Sequence, residues 1–115
     1  MNRIYCPIFK NSKFYPNEVG IIYDNQKWTY KDLNTLVNKI CGYLSNVAEN
    51  IIIVEAQKTV EYICTIFACL RLNKTYLPIS EKTEQSVIDK IIIAKKAFYF
   101  DLSNFNLAAN NKDTK

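Results

Sequence analysis

The sequence predicts an α/β layered domain with a mostly parallel sheet flanked by helices. Segments with helical spacing of apolar residues alternate with short runs of strand formers along the chain. Residues 51–56 (IIIVEA) are a nearly continuous apolar run, which is typical of a strand buried on both faces of a parallel sheet. Residues 59–79 (TVEYICTIFACLRLNKTYLPI) then predict a buried helix followed by a strand, which completes a β-α-β unit.

Length, charge and hydropathy limit the classes of protein that the chain can belong to. Its 115 residues, 49% of them hydrophobic, suffice for one domain with a real core. The net charge of +4 is scattered and densest at Lys95–Lys96, so we expect no nucleic-acid partner. The longest apolar run, residues 62–70, is too short for a bilayer, so we expect no membrane partner. No sustained apolar run follows the N-terminus, so we expect a cytoplasmic protein without a secretory signal.

The helix predicted within residues 59–79 carries signals at both ends. Thr59 suits the N-cap, and Glu61 complements the positive end of the helix dipole. Arg71 and Lys74 complement the negative end, and Asn73 suits the left-handed residue that stops a helix. The apolar residues that follow helical spacing are Val60, Ile63, Cys64 and Phe67. Because the helix is apolar on nearly every side, we expect neighbouring elements to cover it.

The first third of the chain predicts a lead-in and a hairpin. Residues 1–17 contain two prolines and predict an irregular segment that packs on the surface of the domain. Its apolar contacts would come from Ile8, Phe9, Phe14 and Tyr15. Residues 19–23 predict a strand, residues 24–26 a turn, and Lys27–Trp28 the start of a return strand.

An amphipathic helix is predicted to follow the hairpin. Thr29 and Asp32 form a capping box, in which each side chain accepts from the backbone of the other. The helix is expected to end near Ser45. Its apolar stripe consists of Leu33, Leu36, Val37, Ile40 and Leu44.

The C-terminal third leaves one alternative open. Residues 86–95 have helical spacing, although the triplet of isoleucines at residues 91–93 is also compatible with a strand. Residues 97–100 (AFYF) predict a last strand. Residues 1–107 are assigned to the domain, and residues 108–115 to a polar, flexible tail.

Four cysteines raise the question of a metal or disulfide site. Cys6, Cys41, Cys64 and Cys69 contain no C-x-x-C pair, and the chain has no histidine, which argues against zinc. Three of the four lie in predicted helices. We therefore expect buried, reduced thiols rather than a redox or metal site.

Several segments together resemble the adenylate-forming (AMP-binding) synthetase/ligase family. WTYKDLNTLVNKICGYL (residues 28–44) resembles the family's first core segment, L-T-Y-x-E-L-N followed by a helix. CLRLNKTYLPIS (69–80) resembles its second, L-K-A-G-x-A-Y-L-P-L-D, and VEAQKTVEYICTIFACL (54–70) its intervening strand, turn and buried helix. TEQSVIDKII (83–92) is similar to the helix that follows. The Tyr-Leu-Pro form is nearest to amino-acid adenylation domains and D-alanine–carrier-protein ligases.

The sequence departs from this family at three places. Asn73 replaces a glycine, Ser80 replaces an aspartate, and residues 81–83 replace a proline-rich turn. The matching segments are structural in the family, so we predict no catalytic, cofactor-binding or metal residues in this chain. Gly20 and Gly42 are isolated, so neither belongs to a glycine-rich loop that could cradle phosphate.

The resemblance implies a function for a complete enzyme. Such an enzyme uses ATP and Mg²⁺ to convert a carboxylate, here of the amino-acid class, into an acyl-adenylate that is passed to a thiol. The family's phosphate loop, ribose-binding aspartate and catalytic lysine would lie beyond Lys115. We therefore expect a truncated or split N-terminal part, not catalytic alone, whose partner is the remainder of the enzyme or a second copy. A non-catalytic interaction domain and a remnant without function remain alternatives.

Three local features could be mistaken for sites. Glu55 follows a parallel strand, where such sheets place ligands, but we expect it to be a surface turn residue. Tyr62 and Tyr76 are expected in the core rather than against a substrate ring. Asp32 and Glu61 are explained as charges at helix termini rather than as an acid–base pair.

Overall fold

The computed structural model describes residues 7–102, in which helices and strands alternate. The α/β class is confirmed. The predicted tail, residues 108–115, and Cys6 lie outside the described residues. The elements are α1 (Pro7–Phe14), β1 (Val19–Tyr23), β2 (Gln26–Thr29), α2 (Tyr30–Leu44), β3 (Ile51–Glu55), α3 (Val60–Arg71), β4 (Thr75–Ile79), α4 (Gln85–Lys95) and β5 (Ala97–Phe100).

Strand β3 lies at the centre of a parallel three-stranded sheet with the order β4-β3-β5. Ile52, Ile53 and Val54 are fully buried, which confirms a strand covered on both faces. Because side chains alternate along a strand, Ile52 and Val54 face the main core and Ile53 faces the opposite side of the sheet.

The two crossovers, β3-α3-β4 and β4-α4-β5, run in opposite directions across the sheet. Right-handed crossovers therefore place α3 on one face and α4 on the other. Helix α2 packs on α3 and forms an outer layer on the α3 side. The main core lies between these two helices and the sheet.

Pro7–Phe14 form helix α1, so the irregular structure predicted for residues 1–17 is wrong over this range. Pro7 occupies the first helical position, where its fixed φ and missing N–H cost nothing. The helix packs against α2, and Ile8 is buried there, as expected. Phe14 and Tyr15 are exposed, with about 60% of each side chain accessible (63% and 59%). The proline signal thus marked a helix start.

The hairpin and the start of α2 follow the sequence closely. Asp24 and Asn25 have φ of 53° and 65°, the left-handed pair of a two-residue I′ turn. The Asp32 backbone N–H donates to Thr29 Oγ1 at 3.1 Å, and the Thr29 N–H donates to Asp32 Oδ2 at 3.2 Å. The predicted capping box is confirmed. All residues of the predicted stripe are buried: Leu33, Leu36, Val37, Ile40 and Leu44.

Helix α3 ends in a Schellman motif. Asn73 is left-handed with φ of 60°, as predicted. The Lys74 N–H donates to Cys69 O at 2.8 Å, and the Asn73 N–H donates to Leu70 O at 3.2 Å. The expectation that neighbouring elements cover α3 is confirmed in part, because none of its residues is exposed. Cys64, Ala68 and Cys69 are fully buried, but the apolar residues Ile63, Ile66, Phe67 and Leu70 are only half-buried.

The open alternative at residues 91–93 is settled in favour of the helix. These isoleucines lie within α4, and Ile88 is its buried contact. Lys96 stops the helix in the left-handed region with φ of 52°. A single residue therefore turns the chain from α4 into β5.

Candidate functional site

The carboxyl edge of the sheet forms a cleft of about 680 Å³ where β3 and β4 end. In open α/β sheets, ligands bind outside the carboxyl ends of the strands. The Ala56 N–H donates to Ile79 O at 2.9 Å and holds the two strand ends together. The cleft is lined by Glu55, Ala56, Gln57, Lys58, Thr59, Ser80 and Glu81.

The N-terminus of α3 opens into this cleft, and its first turn is partly capped. Thr59 Oγ1 accepts from the Tyr62 N–H at 3.2 Å, which confirms the predicted N-cap. The same hydroxyl donates to Gln57 Oε1 at 3.5 Å. The Tyr62 N–H, one of the first-turn groups that could bind an anion, is therefore already bonded to Thr59.

The charges of the cleft do not suit a triphosphate. Its lining contains two carboxylates, Glu55 and Glu81, against one cation, Lys58, and no glycine. Gly20 lies in β1, where an added Cβ would come within 2.9 Å of side-chain atoms of Leu33 and Tyr30. Gly20 therefore serves close packing. The lining thus does not fit the phosphates of ATP.

A tyrosine and two carboxylates lie near one another at the same edge. Strand β5 places Tyr99 beside Ile53, and Asp101 follows that strand. Burial, then the nearby charges of Asp101 and Glu55, raise the pKa of the Tyr99 phenol above its usual value. The phenol therefore stays protonated through the physiological range.

The other predicted features have structural roles. Tyr62 and Tyr76 are half-buried and pack against the core, as expected. Asp32 is engaged in the cap of α2, and Glu61 lies in the first turn of α3, so both are charges at helix termini, as expected. Within residues 7–102, no group of three histidine, cysteine or carboxylate side chains is placed to hold a metal ion.

Three cysteines lie around the contact between α2 and α3. Cys41, Cys64 and Cys69 are thiols without a disulfide, and the last two are fully buried. The Cys41 thiol donates to Ala68 O at 3.8 Å. Burial, and to a lesser degree the neighbouring Cys41, raises the pKa of Cys69 to about 11, with Lys74 acting in the opposite sense. The expected buried location is confirmed for Cys64 and Cys69.

A second cleft, of about 740 Å³, lies at the amino edge of the sheet. It is larger than the first but lies at the end of the strands opposite to where such folds bind ligands. Its lining combines isoleucines with Lys95, Lys96 and Glu49 and contains no residue predicted as a site. We therefore place the candidate site at the carboxyl edge.

Two roles of basic residues were missed from the sequence. Arg71 donates to Asn38 Oδ1 at 2.5 Å and to Asn34 Oδ1 at 3.0 Å, which ties α3 to α2. Lys74 donates to the backbone carbonyls of Val47 and Glu49 in the loop before β3. The sequence predicts for both only a charge near a helix terminus.

None of the helices within residues 7–102 has the length and hydrophobicity that crossing a bilayer requires.

Comparison with known proteins identifies the class. A family model described as AMP-binding enzyme matches residues 8–98, most of the chain. The chain belongs to the AMP-binding enzyme family. This finding confirms the resemblance drawn from the core segments.

Similar proteins include adenylation enzymes. Zwittermicin A synthase ZmaJ of Bacillus cereus is 28% identical over 80 residues, which are 67% of this chain and 15% of ZmaJ. The N-terminal subdomain of Klebsiella oxytoca NpsA has a TM-score of 0.66 at 18% identity, covering 82% of this chain and 26% of that one. NpsA-ThdA, an artificially fused adenylation-PCP di-domain NRPS from Klebsiella oxytoca, has a TM-score of 0.68 at 18% identity. The match covers 82% of this chain and 19% of that one. The chain thus spans about a quarter or less of these relatives.

Proposed function

We propose that this chain is the N-terminal part of an AMP-forming synthetase or ligase whose ATP-binding and catalytic groups lie elsewhere. The complete enzyme would use ATP and Mg²⁺ to activate a carboxylate, of the amino-acid class, as an acyl-adenylate. In that step a carboxylate oxygen bonds to the α-phosphorus of ATP, the bond from this phosphorus to the bridging oxygen breaks, and pyrophosphate leaves.

The family match over residues 8–98 carries this proposal. The lining of the carboxyl-edge cleft supports the second half of it, that the chain is not catalytic alone. Stabilising charge on a transferring phosphate needs clustered N–H donors, cations or metal ligands. Lys58 is the only cation in that lining, beside two glutamates. Binding of ATP by this chain is therefore expected to be no tighter than about millimolar.

This chain would contribute a scaffold to the complete enzyme. The buried strand β3 and the packed helices α2 and α3 form a rigid base at whose carboxyl edge further segments can be positioned. We also propose a cytoplasmic location, which the buried thiols of Cys64 and Cys69 support because thiols persist in a reducing compartment.

Exchange of labelled pyrophosphate into ATP tests the proposal. The assay is run with the purified chain, with any polypeptide encoded directly downstream, and with the two together. The acids offered are the amino acids, a fatty acid, and 3-hydroxyanthranilate and 3-hydroxybenzoate, whose acyl-AMSN derivatives occur in NpsA complexes. We expect exchange only when both polypeptides are present.

The remaining outcomes separate the alternatives. Robust exchange by the chain alone would contradict a non-catalytic scaffold. Exchange by the downstream polypeptide alone, unchanged by adding this chain, would indicate a remnant without function. No exchange in any mixture would favour an interaction domain.

An interaction domain is the second candidate because large apolar side chains are exposed. The accessible fractions are 63% for Phe14, 66% for Ile22 and 79% for Ile93. Such a domain would act by docking a partner on an uncovered surface, and it would need no cofactor. A partner that binds the chain in the absence of any adenylation activity would support this function.

A further inference from the structure

The outer edge of β4 is protected against a further strand. The Thr75 N–H donates to Asn50 O, and Ile79 O accepts from Ala56, so these two residues turn their backbone groups toward β3. By the alternation of a strand, Tyr76 and Pro78 turn theirs outward. Proline has no N–H to donate, so this edge cannot form a regular ladder.

The outer edge of β5 lacks such protection. Asn50 and Ala56 bond to β4, so by alternation along β3 the backbone of Ile53 bonds to β5. Ile53 is opposite Tyr99 in the parallel register, so it bonds to Phe98 and Phe100, while Ala97 and Tyr99 turn their N–H and C=O groups outward. The strand AFYF contains neither proline nor a charged residue. Within residues 7–102, β3 is the only strand that pairs with β5. Such an edge is a template for another strand.

We propose that a second copy of this chain pairs with β5 across a two-fold axis, with the two β5 strands antiparallel. The register places Ala97 of each copy opposite Tyr99 of the other, so that each pair exchanges N–H···O bonds. The proposal does not depend on the proposed enzymatic function, because it uses only the edge of β5 and the charges beside it.

The charges at the ends of β5 favour this partner and this direction. Lys95 and Lys96 directly precede the strand, and Asp101 directly follows it. Antiparallel pairing brings the basic end of one copy beside the acidic end of the other, twice by symmetry. A parallel arrangement would bring like charges together.

Aromatic side chains on one face of β5 complete the self-complementary surface. Phe98 of each copy lies opposite Phe98 of the other in this register. The ring of Tyr43, with 44% of its surface accessible, lies 6.4 Å from Phe98 and 5.5 Å from Phe100. Phe100 is already buried, so pairing would bury further area of Tyr43 and Phe98, which adds apolar area to the backbone bonds.

Sedimentation equilibrium of the purified chain tests the proposal, from about 1 µM to about 1 mM. Because four paired residues make a small interface, we expect a monomer–dimer equilibrium with a Kd on the order of 100 µM. Amide hydrogen exchange, measured by NMR at the lowest and the highest concentration, should be slower at Ala97 and Tyr99 in the concentrated sample. The outward amide of Tyr76 on the protected edge should not change.

Charge reversal gives the sharpest test, since the residues are outside the core. Asp101→Lys and Lys96→Glu should each weaken the dimer by about tenfold, and the double variant should recover to within about threefold of the original. Lys82→Glu is the matched control for Lys96→Glu, because it changes the net charge by the same amount and lies in the loop after β4. It should leave the Kd unchanged.

Four results would overturn the proposal. If the chain is a monomer at every concentration, a second copy does not occupy the edge of β5. The same conclusion holds if a different polypeptide is found bound there. Association that Asp101→Lys leaves intact would assign it to another surface. Protection of Tyr99 that does not vary with concentration would show that the chain itself covers the edge.

Discussion

Lys74 Nζ donates to the backbone carbonyl of Glu49 at 2.7 Å, across 25 residues of sequence. The same ammonium donates to Val47 O at 2.9 Å. One side chain just past the end of α3 thus holds the loop that leads into the central strand β3. This contact sets the entry of the strand on which the sheet is built.

Replacing Lys74 should therefore destabilise the domain. Lys74→Met keeps most of the aliphatic length but leaves two carbonyls without their charged donor, which should cost about 1–3 kcal/mol. Urea unfolding monitored by circular dichroism measures this loss. The control Lys90→Met removes an exposed lysine from α4 and should change the free energy of unfolding by less than about 0.5 kcal/mol. Equal effects of the two substitutions would mean that the clamp contributes nothing.

Asn73 tests the left-handed stop of α3. Glycine accepts a φ of 60° without a Cβ penalty, so Asn73→Gly should be neutral or slightly stabilising. Asn73→Val should cost about 1–2 kcal/mol, because a β-branched residue is strained there. Thermal melts of the three proteins compare them directly. A valine variant as stable as the glycine variant would contradict the Schellman geometry.

Arg71 should hold α2 and α3 together through its fork of donors. Its guanidinium donates to Asn34 and Asn38 and lies 5.6 Å from the centre of the Phe9 ring. Arg71→Met should cost about 1–2 kcal/mol in urea unfolding. Arg71→Lys, which keeps the charge but cannot donate to both amides in the same geometry, should recover less than half of that loss. Full recovery by lysine would show that charge alone matters.

Ionisation of the Cys69 thiol should lower the stability of the domain at alkaline pH. Its pKa is raised to about 11 in the folded chain, whereas a thiol in the unfolded chain ionises near 8.5. Its contribution to the free energy of unfolding is therefore complete below about pH 8.5 and is lost as the pH rises toward 11, by up to about 3 kcal/mol.

Cys69→Ala isolates this effect from other titrating groups. Urea unfolding at pH 7 and pH 10.5 should show a smaller loss for the variant than for the original chain. The same loss in both proteins would mean that Cys69 ionises at an ordinary pKa when folded.

Local signals in the sequence were sufficient for most elements. Thr29 and Asp32 form their cap from residues three apart, and Asn73 stops α3 by its own backbone preference, so neither needs a distant partner. The continuous apolar run ending at Glu55 and the stripe of α2 predicted their own burial. The family could be recognised because its core segments are these same elements.

Only the tertiary structure decided how these elements meet. The partners of Arg71 and Lys74 lie 25–37 residues away, and the sequence carries no signal for which amide or carbonyl a long basic side chain reaches. Helix α1 was missed because its eight residues are too few to be stable alone and depend on packing against α2. The order β4-β3-β5 likewise follows from the crossovers, and among the described residues it is this order that leaves β5 at an edge. Propensity acts within a few residues, whereas strand order and long-range hydrogen bonds depend on the packing of the whole domain.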